Sequence, residues 1–225
     1  MSESIKIHKK TNGKDFLFIP VSHMAQESFY NDIENILKNN PNSIVIKEGR
    51  KENNEYLKNP NNREKIETLF AKLIYEQRRK TEIIAKKLGI DFVSQSNHLD
   101  EYKYGHKVVT PDITLEKFGN HLENFFKKED ISKALDIEKK TAEAINSRDS
   151  FSKEEQSALL NMLNKSTNSK KEPNEKVKQI QKPRSELLLQ EVLKQSNLNN
   201  IDDSVIVIYG KQHIDYVLNY LNPAK

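Results

Sequence analysis

Val205, Ile206, Val207, Ile208 and Tyr209 form an unbroken apolar run in a chain otherwise crowded with charge, and that run limits the fold more than any other stretch. A strand with one wet face alternates apolar and polar residues, whereas a strand covered on both faces is apolar throughout and belongs in a parallel sheet. Phe16, Leu17, Phe18 and Ile19 repeat the pattern near the start, and Ile44, Val45 and Ile46 repeat it again. Helical spacing lies between these runs. Phe29, Ile33, Ile36 and Leu37 share one face, Leu188, Leu189, Val192 and Leu193 precede the last run, and Ile214, Val217, Leu218 and Leu221 follow it. Alternating strands and helices predict an α/β fold with a central mixed, largely parallel sheet flanked by helices.

Local signals divide the rest of the chain. Thr11, Asn12, Gly13 and Lys14, between Ile5 and Ile7 on one side and the run at 16–19 on the other, predict a tight hairpin. Residues 63–88 keep helical spacing, and Gly89 stands where a left-handed cap is wanted. A short buried strand is expected over 90–93, followed by a polar segment over 94–110. Leu115, Phe118, Leu122 and Phe125, then Ile131, Ala134 and Leu135, then residues 152–163 resume helical spacing, and predict a helical lid inserted over 113–164. Residues 165–182 are Ser, Asn, Lys, Glu and Pro with almost nothing apolar, the composition of a flexible linker. The whole, 1–225, reads as one domain.

Composition narrows the functions. The 37 basic and 33 acidic side chains are interspersed and leave a formal charge of +4, so no strong single-sign field points to nucleic acid. Cysteine is absent, which excludes disulfide scaffolds, thiolate metal sites and cysteine nucleophiles; any metal must be held by nitrogen and oxygen. The N-terminal residues carry charge where a signal peptide needs an apolar core, and no stretch has the roughly 20 apolar residues of a membrane span. A cytoplasmic location is the expectation, with non-classical secretion left open.

The two ends of the chain resemble each other. Phe16-Leu-Phe-Ile-Pro-Val-Ser-His23 and Ile206-Val-Ile-Tyr-Gly-Lys-Gln-His213 are each an apolar strand, a three-residue bend and a histidine, followed by an amphipathic helix, so the domain reads as two pseudo-repeated strand-helix units. Both histidines are then expected just beyond the carboxyl end of a strand, where open α/β sheets place ligands. Glu48 takes the same position after Ile46. Imidazoles and a carboxylate suit either a divalent metal or general acid/base catalysis. Neighbouring strands lie only about 5 Å apart, so chain separation does not prevent these groups from converging.

This pattern resembles that of the TraB/PrgY/GumN and Tiki superfamily, which has paired Gly-x-x-His motifs, an early glutamate and a late arginine. Here they correspond to Pro20-Val-Ser-His23, Glu48-Gly49, Arg184 and Gly210-Lys-Gln-His213. Gln95, followed by Val108-Val-Thr-Pro-Asp112, is similar to the family's stretch ending in an aspartate before a helix. Pro20 stands where the family has glycine, which fixes φ and removes an N–H. The resemblance implies a shared site that supports metal-dependent proteolysis in the best understood members, alongside erythromycin esterase-like and haem-binding ChaN-like relatives. It implies His23, Glu48 and His213 as catalytic groups and ligands of a divalent ion, manganese, cobalt or zinc. Arg184 would stabilise negative charge or bind substrate together with Gln95 and Asp112.

The leading expectation is therefore a metal-dependent hydrolase acting on a peptide or small-molecule ester. One alternative is a metal-free hydrolase in which Glu48 orients a histidine as general base, and another is a non-catalytic haem-, ligand- or partner-binding protein. A homodimer is an open expectation. Arg184, after Pro183, is expected to open the helix before the last strand, and Asp112 also fits an ordinary helix N-cap. His8, His98, His106 and His121 are expected at the surface, and so are the hydroxyls of Tyr102, Tyr104 and Tyr209.

Overall fold

The computed structural model describes residues 6–22, 24–49, 53–95, 99, 103–167, 175–198 and 204–222. β1 (Ile7–Thr11) and β2 (Lys14–Val21) form the expected hairpin, with Thr11 opposite Lys14. Asn12 and Gly13 supply the two positive φ angles, 50° and 82°, that a two-residue turn of this hand requires.

Five strands make the main sheet in the order β1, β2, β7 (Val205–Gly210), β4 (Ile44–Lys47), β6 (Lys107–Val109). β2, β7, β4 and β6 are parallel, and β1 is the antiparallel edge. The register runs from Phe16 opposite Val205 to Val21 opposite Gly210, and from Ile44 opposite Val205 to Lys47 opposite Ile208. The two ends of the chain are therefore neighbours in space, and β7 lies between β2 and β4.

Both faces of this sheet are covered, which explains the unbroken apolar runs. On one face Phe16, Phe18, Val205, Val207 and Tyr209 pack against Leu188 and Val192 of α7 (Glu175–Ser196) and Ile214 and Val217 of α8 (Lys211–Leu221). On the other, Ile19, Val21, Val45, Ile206 and Ile208 pack against Tyr30, Ile33 and Leu37 of α1 (Glu27–Asn39).

A short α2 (Asn53–Lys58) follows the β4 end of the sheet, and α3 (Ile66–Lys87) organises a helical layer with cores of its own. Ile66 and Leu73 meet Phe118 and Leu122 of α4 (Leu115–Leu122) and Ile131 and Leu135 of α5 (Lys128–Asn146). Ile84 and Ala85 meet Ile145 of α5 with Leu159 and Leu163 of α6 (Lys153–Thr167). Gly89, at φ 65°, caps α3 as its position predicted: the N–H of Ile90 bonds to Ala85 O at 2.9 Å and that of Gly89 to Lys86 O at 3.2 Å. Among the described residues no helix is long and apolar enough to cross a membrane.

Three expectations change. The strand expected over 90–93 is reduced to β5 (Val93–Ser94), which pairs with β3 (Met24–Ala25) in a separate two-stranded sheet. Ile90 and Phe92 are drawn into the helical core instead. Within the segment read as polar, Val108 and Val109 suffice to build β6 against β4. The range 165–182 is helical at both ends, because α6 runs through Thr167 and α7 begins at Glu175; residues 168–174 lie outside the described residues. Ile180 anchors the polar first turns of α7 in the helical core.

Pro183 thus sits inside α7 rather than before it. Its missing N–H would have bonded to the carbonyl of Gln179, four residues back. His121 Nε2 lies 3.0 Å from that carbonyl and donates in its place.

Candidate functional site

Glu48 follows β4 directly, and its N–H extends the ladder by bonding to Ile208 O at 3.1 Å. Its carboxylate is held at both oxygens. Arg184 Nη2 donates to Oε1 at 2.7 Å, and the Gly210 N–H, at the end of β7, donates to Oε2 at 3.1 Å. Arg184 also grips Asp112 with a two-pronged contact, Nε to Oδ1 at 2.9 Å and Nη2 to Oδ2 at 2.7 Å, and Nη1 reaches Gln181 Oε1 at 3.3 Å. The side chains of Arg184, Glu48 and Asp112 are only 12%, 8% and 2% exposed. Burial works against the guanidinium charge, but the hydrogen bonds to Asp112 and the charges of Glu48 and Asp112 outweigh it and hold Arg184 above its usual pKa.

His213 is the third residue of α8 and is 5% exposed. Its Nδ1 lies 2.8 Å from Ser185 Oγ, and Ser185 in turn lies 3.2 Å from the Gln181 carbonyl, four residues back in α7. A carbonyl only accepts, so the hydroxyl proton goes to Gln181 O and Nδ1–H donates to Oγ. In the neutral ring that arrangement puts the lone pair on Nε2. The imidazole also meets the Tyr209 ring edge-on, with centroids 5.3 Å apart at 83°. The Tyr209 hydroxyl, expected at the surface, instead donates to Pro111 O at 2.9 Å and ties down the loop that carries Asp112.

Gly210 joins the two halves of the site. A Cβ there would stand 3.2 Å from Glu48 Oε2, tighter than ordinary contact, and 3.5 Å from His213 Cδ2, so the carboxylate and the imidazole flank the small space beside this glycine. The φ of −55° at Gly210 suits any residue, so the demand is for room and not for backbone freedom.

Two further groups reach this region. Arg78 of α3 is lowered in pKa by burial, and the charge of Glu48 is the largest influence opposing that shift, ahead of Tyr30. The proximity of Arg184 pushes it the same way as burial. Tyr30 is itself raised by burial and donates its hydroxyl to Ser22 O at 2.7 Å.

The structure therefore gathers Glu48, Asp112, Arg184 and His213 at the carboxyl edge of the sheet. His23, like His98 and Tyr102, lies outside the described residues. Gln95, 9% exposed, sits directly after β5. Asp112 is not a helix cap: Thr114 caps α4 by accepting from the Lys117 N–H at 3.3 Å, while Asp112 Oδ1 bonds the Ile113 N–H at 2.8 Å and its carboxylate serves Arg184. His106 is not at the surface either. It is 6% exposed, with Nδ1 3.2 Å from Ser43 O and Nε2 3.1 Å from Leu37 O, where it braces α1 against the start of β4.

Toward a divalent ion the described residues offer His213 Nε2 and Glu48, with His23 as the third group named by the motif. Glu48 is already engaged at both oxygens, and two guanidiniums, Arg184 and Arg78, balance the charges of Glu48 and Asp112. Among the described residues no group of three His, Asp or Glu side chains is gathered as a metal site requires. Ser185 and Arg78 had not stood out in the sequence, because both lie in stretches whose charge reads as solvated helix or linker. Comparison of the chain with protein-family models, with curated proteins and with solved structures gives no match in any of the three.

Proposed function

We propose that this chain is a hydrolase of a peptide or small-molecule ester bond, in which His213 acts through Nε2 as the base that takes a proton from water. The observation that carries this reading is the anchoring of His213 Nδ1 by Ser185 beside a carboxylate held from both sides by Arg184 and Gly210. Water adds to the substrate carbonyl as its proton passes to Nε2, and the imidazolium then returns that proton to the leaving group. Glu48 stabilises the imidazolium by its charge. Arg78 supplies positive charge for the oxyanion that forms on the carbonyl. Arg184 positions Glu48, since its donors are taken by Glu48, Asp112 and Gln181. The helices over 113–164 act as a lid through α4, whose first turn follows the Asp112 loop.

The test is hydrolysis of a panel of chromogenic esters and fluorogenic peptides by the purified chain, before and after exhaustive chelation. His213→Ala is expected to cut the rate by about 10²–10⁴-fold and Glu48→Gln by less, with the chelated wild type unaffected. Undiminished activity in His213→Ala would sink the proposal. Recovery of manganese, cobalt or zinc with the protein, and loss of activity on chelation, would replace it with a divalent ion held by His23, Glu48 and His213. Absence of turnover across the panel would favour a binding role.

A further inference from the structure

The opposite edge of the same sheet, where β2, β4 and β6 begin, holds a buried charge of another kind. Lys14, the first residue of β2, is 2% exposed, and among the described residues its Nζ has no hydrogen-bond partner. The period of the strand puts it on the same face as Phe16 and Phe18, beneath α7 and α8. The neighbouring turn is fixed there, because Asn12 Nδ2 donates to Asn197 Oδ1 at 2.9 Å just past the end of α7. Lysine is almost never fully buried unless paired, since an ammonium withdrawn from water loses its hydration without return.

Lys14 lines a cavity of about 390 Å³ together with Asn42, Ser43, Gly105, Lys107 and Leu198. Its described lining includes two lysines and no acidic side chain. The Ser43 hydroxyl is paired with that of Ser204 and the Ser43 carbonyl with His106, and neither bonds to Lys14 Nζ. The volume lies in the range of small-molecule sites, about 300–1,000 Å³. Lys107 and Asn42 are exposed at its rim.

We propose that this cavity binds a small organic anion, which presents a carboxylate or phosphate group to Lys14 with Lys107 at the mouth. The bound oxyanion supplies the acceptors that the protein withholds from Nζ, and a charge-assisted hydrogen bond in a low-dielectric pocket is strong enough to select for it. The site is separate from Glu48 and His213, which lie at the other end of the parallel strands, so it stands or falls independently of the hydrolase reading.

The experiment is a titration of the ¹⁵N-labelled full chain with inorganic phosphate and, in a second arm, with acetate, at constant ionic strength set by sodium chloride. Saturable shifts of the amide resonances of Asn42, Ser43, Gly105 and Lys107 are expected, and the arm that saturates at lower concentration tells phosphate from carboxylate recognition. Lys14→Met is expected to weaken binding by about tenfold or more, and Lys107→Gln by less. Methionine matches the length of the lysine stem without its charge, and far-UV circular dichroism checks that the variant folds; Lys107→Gln, at an exposed position, gives a second reading if it does not. Lack of a saturable shift with either anion, shifts confined to other residues, or unchanged affinity in the variants would overturn the proposal.

Discussion

At the edge where β4 and β7 end, Arg184 lies between Glu48 and Asp112, and each of these buried charges has its partner within 2.7 Å. At the edge where β2 begins, Lys14 is buried as deeply and has no hydrogen-bond partner among the described residues. The difference follows from how each cation is carried. Arg184 projects a planar fork from the middle of a packed helix, and the fork matches two carboxylates at once. Lys14 is a point charge on a flexible stem, turned inward because the hairpin register allows its side chain only one face. The first edge is preorganised and self-sufficient; the second holds a cation with no hydrogen-bond partner among the described residues.

That contrast would collapse if Arg184→Met were well tolerated. Its loss removes the guanidinium that bridges two nearly buried carboxylates, and urea denaturation is expected to show a destabilisation of about 3–5 kcal/mol. Adding Glu48→Gln and Asp112→Asn to the same variant should recover much of that stability while leaving it inactive. Gly210→Ala comes next, because the new methyl stands 3.2 Å from Glu48 Oε2, closer than ordinary contact, and the carboxylate must shift. A loss of about 2–3 kcal/mol is expected in the same assay, together with reduced hydrolysis. Ser185→Ala removes the acceptor for His213 Nδ1 and is expected to cost about 1–2 kcal/mol, with a shift in the pH–rate profile that Ser185→Thr partly restores. The smallest effect has the opposite sign. Lys14→Met is expected to raise stability in anion-free buffer by at most about 1 kcal/mol, since it removes an unpaired buried charge.

Features set by nearby residues were legible in the sequence. Asn12 and Gly13 specify their turn, Gly89 its helix cap, and the apolar runs at 16–19, 44–46 and 205–209 the covered strands. Glu48 and His213 could be placed at a strand edge for the same reason. The roles of Arg184 and Asp112 could not, because their contact spans 72 residues of chain and leaves no local trace. Local reasoning instead made Asp112 a cap, a task that Thr114 performs two residues later. Ser185 was hidden just past the range read as linker, at the expected start of a helix, where a lone serine carries no signal. Helix α7 forms there because a few apolar side chains, Ile180 and Leu188 among them, dock into two different cores, and because His121 answers the carbonyl that Pro183 leaves open.

The middle strand of the sheet is also the last of the five to be synthesised. Until residues 205–210 leave the ribosome, β2 and β4 lack the neighbour they share, and each presents a bare row of amides and carbonyls above uncovered apolar faces. Closure of this domain is therefore a late event in the life of the nascent polypeptide, and a product stalled short of that point is a natural client for chaperones and a seed for aggregation.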